Sequence, residues 1–65
     1  MIVNNVKQLR VAKNVTQEEL AAACSVSRQT VIAIEKGNYT PSLLLALQVA
    51  DFFKMPVEQI FHIGN

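Results

Sequence analysis

Side chains able to do covalent chemistry are few and scattered. Cys24 and His62 each occur once, too few for a disulfide within the chain or a structural zinc site. No nucleophile stands beside a base, no carboxylates form a dyad and no glycine-rich loop could cradle a phosphate. A catalytic role therefore has nothing to rest on, and no cofactor, metal or small-molecule ligand is expected. What the sequence does offer is hydrogen bonding. Ser27-Arg28-Gln29-Thr30 sets a guanidinium beside a carboxamide, two planar groups that can each make paired hydrogen bonds to one partner.

Such groups need rigid elements to aim them, and helix punctuation recurs along the chain. Val6, Leu9 and Arg10 share a face at i, i+3, i+4, and Asn5 with Gln8 resembles a capping pair, which predicts a first helix from about Asn5 to Lys13. Thr16 and Glu19 form a T-x-x-E capping box, with Val15 and Leu20 at hydrophobic-staple positions, so a second helix runs to about Cys24-Ser25. Ser27 is the N-cap of a third, with Val26 and Val31 as its staple; it ends at Lys36, where Gly37 supplies the left-handed residue. Pro41 suits the first position of a fourth helix, about Ser42 to Phe53, whose inward stripe reads Leu43, Ala46, Val49, Ala50 and Phe53. Pro56 opens a last short turn, Val57 to Ile60. The apolar ends, Met1-Ile2-Val3 and Ile60-Phe61-His62-Ile63, are rich in strand formers and can pair as a small antiparallel β-sheet. A two-stranded ribbon alone is marginal in water.

The chain has 65 residues, enough for one domain that buries roughly 60% of its unfolded surface. Six Lys and Arg against five Asp and Glu give a net charge of +1, and 51% of the residues are apolar, which excludes a disordered segment or a polybasic tail. The longest apolar run, Leu43 to Leu47, falls far short of the ~20 residues of a membrane span. No secretory signal is legible at Met1 to Asn5, so the cytoplasm is the expected location. Domains this small have narrow stability margins, and self-association is a common remedy.

Two helices joined only by Ser25 and Val26, the first carrying Ala21, Ala22 and Ala23, can approach closely at the steep angle of a helix-turn-helix. The full string from Val6 to Phe61 resembles the phage-repressor, Cro-like or Xre-type helix-turn-helix regulators. The likeness rests on Leu9-Arg10, Thr16-Gln17-Glu18-Glu19-Leu20-Ala21, Val26-Ser27-Arg28-Gln29-Thr30-Val31, Ile34-Glu35-Lys36-Gly37, Pro41-Ser42-Leu43 and Ile60-Phe61. In detail it is similar to small standalone members such as the cytolysin-operon repressor type. The resemblance implies an all-α, five-helix, lambda-repressor-like DNA-binding bundle over residues 1–65, with the motif at about 16–36 and a small sheet from the two ends.

The resemblance further implies a regulator, expected to be a repressor, that binds a palindromic operator in double-stranded DNA as a homodimer. The second helix of the motif would enter the major groove. There Arg28 can pair with guanine O6 and N7 and Gln29 with adenine N6 and N7. Ser27, which caps that helix, is expected among its DNA contacts, Thr30 is expected at a phosphate, and Ala33 can touch a thymine methyl. Thr16 and Gln17, at the start of the preceding helix, would meet the phosphate backbone, as would Lys36, Asn38 and Tyr39 beyond the recognition helix. For Tyr39, stacking on Pro41 is the alternative. Arg10 and Glu35 fall on otherwise apolar faces, and relatives pair these positions in a partly buried salt bridge. Cys24 stands where relatives usually carry Leu, as a small core residue, and Ser25 where they usually carry Gly. Leu44, Leu47, Ile60, Phe61 and Ile63 are the expected dimer surface. An antitoxin or adaptor that binds a protein partner on the same fold is the alternative function.

Overall fold

Each of the three central helices begins where a hydroxyl caps it. In the computed structural model, which describes residues 1–64, the chain forms β1 (Ile2–Asn4), α1 (Val6–Ala12), α2 (Gln17–Ala23), α3 (Arg28–Lys36) and α4 (Leu43–Phe53), then a 3₁₀ turn over Val57–Gln59 and β2 (Phe61–Ile63). The expected capping box is complete: Glu19 N–H donates to Thr16 Oγ1 at 3.0 Å and Thr16 N–H to Glu19 Oε1 at 2.8 Å. Ser27 Oγ accepts from Thr30 N–H and Ser42 Oγ from Leu45 N–H. Gly37 ends α3 at φ 78°, a conformation open to glycine at no steric cost.

Several expectations need correction. Among the described residues there are four α-helices, because the segment after Pro56 makes only i→i+3 bonds, Gln59 to Pro56 and Ile60 to Val57, before the chain turns into β2. Ser42 rather than Pro41 abuts α4, so Pro41 lies one residue outside the N-cap. The inward stripe of α4 is Leu45, Ala46, Val49, Ala50 and Phe53. Leu43 is 73% exposed, since it lies at the edge of the stripe that Leu45 and Ala46 bury in the same turn. Asn5 and Gln8 form no cap. Acceptors distant in sequence take the asparagine side chains instead: Asn5 Nδ2 donates to the Gln59 carbonyl and Asn4 Nδ2 to that of Ile34, while Asn4 Oδ1 accepts from Val6 N–H. Of the three alanines on α2 only Ala21 is buried, so it alone permits close approach to α3.

The core gathers one or more side chains from every α-helix, with Val6, Leu20, Phe53 and Ile60 the most completely enclosed. The chain ends pair antiparallel in the register Ile2↔Ile63, Val3↔His62, Asn4↔Phe61. The sheet is tied to the bundle through Asn5 N–H, which donates to the Ile60 carbonyl at 3.0 Å. Gly64 closes it with a bond to the Met1 carbonyl; a Cβ there would come within 2.7 Å of Val3 Cγ1. Among the described residues, no helix is long and apolar enough to cross a membrane.

The turn between α2 and α3 depends on one backbone conformation. Ser25 sits at φ 57°, and its N–H and that of Val26 bond back to the Ala22 and Ala21 carbonyls, which reverses the chain within two residues. A side chain in the left-handed region costs roughly 1–2 kcal/mol, part of which glycine would return as unfolded-state entropy. Ser25→Gly should therefore stabilise the fold by ~0.5 kcal/mol, read as a higher melting temperature; a lower one would show that the serine is not strained.

Candidate nucleic-acid interface

Glu35, near the end of α3, joins three helices. Its Oε2 accepts from Arg10 Nε at 2.7 Å, and its Oε1 from Arg10 Nη2 at 3.2 Å and from Gln17 Nε2 at 3.1 Å. The Arg10 and Glu35 side chains are only 12% and 5% exposed. Arg10 Nη1 also donates to the Val15 carbonyl at 2.9 Å, fixing the loop between α1 and α2. Burial alone would raise the Glu35 carboxyl, but hydrogen bonds from Arg10 and Gln17, with the charges of Arg10 and Lys7, outweigh it and hold the group below the usual carboxylate range. Arg10 is raised, first by its hydrogen bond to Glu35 and against the cost of burial. The lock thus fixes α3 to both preceding helices by charge-assisted bonds.

The residues singled out in the sequence lie at the start of α2, along α3 and in the loop beyond it. Thr16 is occupied by its cap, and Gln17, half-buried, points its amide at Glu35. Ser27, Arg28 and Gln29 are exposed at the start of α3, with Thr30 and Ala33 half-buried behind them. Ser27 Oγ and Thr30 Oγ1 lie 3.0 Å apart. Lys36, Asn38 and Tyr39 are exposed beyond its end. Thr30 and Tyr39 line an open cleft of about 350 Å³, together with Cys24, Ser42, Leu44 and Gln48. Cys24 is buried, and burial pushes its thiol up, as befits a core residue.

The expected dimer surface divides. Leu44, Leu47 and Ile63 are exposed, at 67%, 49% and 87%. Phe61 is half-buried against the core and Ile60 is wholly inside it. Ile60 is therefore a core residue and not an interface contact, held there by the bond from Asn5. Leu43, read as inward, joins the exposed set. One neighbour of α3 escaped the sequence reading: Glu18, whose Oε2 lies 3.5 Å from Arg28 Nε. The two are ten residues apart on different helices, and no local pattern links them.

The helix-turn-helix family model matches residues 6–60. The chain belongs to the Cro/C1-type helix-turn-helix family. It is 55% identical over 58 residues to an uncharacterised HTH-type transcriptional regulator of Methanocaldococcus jannaschii, covering 89% of this chain and 88% of that one. It is 32% identical over 60 residues to the cryptic phage CTXphi transcriptional repressor of Vibrio cholerae, covering 92% of this chain and 54% of the repressor. Among solved structures, the restriction-modification controller protein C.AhdI of Aeromonas hydrophila superposes with a TM-score of 0.77 at 30% identity, over 83% of this chain and 82% of that one. This protein is a transcriptional regulator on a helix-turn-helix DNA-binding fold.

The lock carries two expectations. Arg10→Met leaves a buried carboxylate uncompensated and should cost ~3–5 kcal/mol, a large part of the stability of a domain this size; an unchanged melting temperature would show that the pair does not hold the fold. The Glu35 carboxyl is depressed on folding, so its stabilising effect is complete above the ordinary glutamate value of ~4.3 and is lost as the pH falls through the lower, folded value. Glu19, lowered by the backbone N–H and then the hydroxyl of Thr16, acts in the same direction. Melting temperature should decline in acid below about pH 4.3, and Glu35→Gln should shallow that decline; an unaltered acid limb in the variant would locate it elsewhere.

Proposed function

We propose that this regulator is a repressor that binds a palindromic operator as a homodimer in the cytoplasm, with α3 laid in the major groove. The observation that carries the reading is the exposed start of α3, where Arg28 and Gln29 face solvent while the opposite face of the helix is locked to α1 and α2. Bidentate pairing of Arg28 with guanine and of Gln29 with adenine reads the sequence. Thr16, Gln17, Thr30, Lys36, Asn38 and Tyr39 meet phosphates and set the register, and Ala33 approaches a thymine methyl.

Two copies are called for on two grounds. With a net charge of +1, one subunit neutralises few phosphates and releases few counterions, so its affinity alone is weak. Its longest extent is 30 Å, less than the ~34 Å between half-sites one helical turn apart. Leu43, Leu44 and Leu47 on α4, with Ile63 on β2, present the apolar side chains for pairing; an exposed leucine alone means little, but three on one helix exceed the scatter expected of a monomer surface.

Arg28→Ala or Gln29→Ala should cost ~1–3 kcal/mol on the operator and relax specificity at one base pair, whereas Lys36→Ala should weaken all duplexes alike. Equal losses on operator and random DNA for both kinds of change would exclude direct readout. The DNA flanking the coding sequence, searched for an inverted repeat and tested by gel shift over a salt series, supplies the probe. Sedimentation at high micromolar concentration should show a dimer that Leu44→Glu dissociates; a monomer throughout would exclude the pairing. Failure to bind any duplex at low salt would leave the protein-partner reading of the same apolar surface.

A further inference from the structure

We propose that Glu18 is a specificity-determining residue: its carboxylate holds the side edge of Arg28, so that the Nη1/Nη2 edge is offered to one guanine, and its charge penalises every other duplex. This rests on the reading of α3 given above. A guanidinium has two hydrogen-bonding edges, one through Nε and one through the two terminal nitrogens. Glu18 Oε2 lies 3.5 Å from Nε, the edge that guanine O6 and N7 do not need, and leaves the terminal fork for the base.

Other duties for the pair do not account for it. Glu19, the next residue, already closes the capping box of α2, so Glu18 is not required to start the helix. Its side chain is 68% exposed and that of Arg28 49%, and ion pairs so exposed contribute little to stability. What such a pair does change is freedom. An arginine samples many rotamers, and ordering it before contact removes part of the cost of binding.

The placement of the carboxylate adds discrimination. Glu18 follows Gln17, which the proposed docking turns toward the phosphates, so its negative charge repels any duplex that comes near. On the operator the ordered contact of Arg28 offsets that repulsion; on other sequences nothing does. Specificity built from an attractive and a repulsive element together is stronger than either alone.

Selection from a pool of random-sequence duplexes, followed by fluorescence anisotropy on the selected duplex and on a mixed-sequence duplex, tests the assignment with wild type, Glu18→Ala, Glu18→Gln, Arg28→Ala and the double variant Glu18→Ala/Arg28→Ala. Arg28→Ala should erase a guanine preference of about 5-fold to about 100-fold. Glu18→Ala should lower that same preference several-fold and tighten binding to mixed sequence. Glu18→Gln, whose amide oxygen can stand beside Nε without the carboxylate's charge, should keep more of the preference while showing the same tightening. In the absence of Arg28, removing Glu18 should alter no base preference. A guanine preference unchanged in Glu18→Ala, or sharpened because the carboxylate had been drawing Arg28 away, overturns the proposal. If Arg28→Ala erases no preference, readout by Arg28 is wrong and the role of Glu18 falls with it, a failure visible in that arm alone.

Discussion

The carboxylate of Glu35 is the point on which the geometry of the motif depends. It lies at the far end of the recognition helix from Arg28, yet it receives hydrogen bonds from α1 and α2 at once. A nine-residue helix can be placed by apolar packing, but packing of Val31 and Ile34 alone leaves it free to slide or rotate by small amounts, because apolar contact is not directional. A bidentate guanidinium and a carboxamide meeting one carboxylate allow a single arrangement. In a chain that has neither a disulfide nor a metal cluster among its described residues, that rigidity must come from side chains of this kind.

Ion pairing, the lock included, also sets how much positive charge the surface keeps. Arg10 is neutralised inside the fold, Arg28 is paired with Glu18 and Lys54 with Asp51. Among the described residues, Lys7, Lys13 and Lys36 make no ion pair, so little positive charge is left to attract phosphate. On the proposed reading, a protein so weakly basic gains little from counterion release and draws its discrimination from the fit of a few hydrogen bonds. Rigid presentation of α3 and a weakly charged surface are therefore two sides of one strategy.

How much of this was legible in the sequence follows from the range of each interaction. Caps and staples act within four residues, and Thr16 with Glu19, and Ser27, could be read directly, whereas the cap at Ser42 was hidden behind Pro41. The left-handed turn at Ser25 was flagged because a glycine is usual there. The Arg10–Glu35 pair spans 25 residues, and only family resemblance pointed to it. Where resemblance was silent, long-range geometry decided: the side-chain amides of Asn4 and Asn5 donate across the molecule, Leu43 lies beyond the core that its period suggested, and Ile60 is drawn inward by the sheet. Glu18 meets Arg28 only because Ser25 folds α3 back across α2.

The cleft beside that turn brings the roles of the two surfaces together. Thr30 and Tyr39, assigned to phosphate contact, share its walls with Leu44, assigned to the subunit contact, and with Ser42 at the cap of α4. Residues separated by up to fourteen positions in the chain thus line one cleft. A partner subunit seated on Leu44 must come close to the loop that Tyr39 occupies, and whatever orders that loop also orders its approach to the phosphates. On the proposed reading, pairing of subunits and grip on the DNA backbone are then neighbouring contacts on one wall, set in place by the four alternating caps and turns between Ser25 and Leu45.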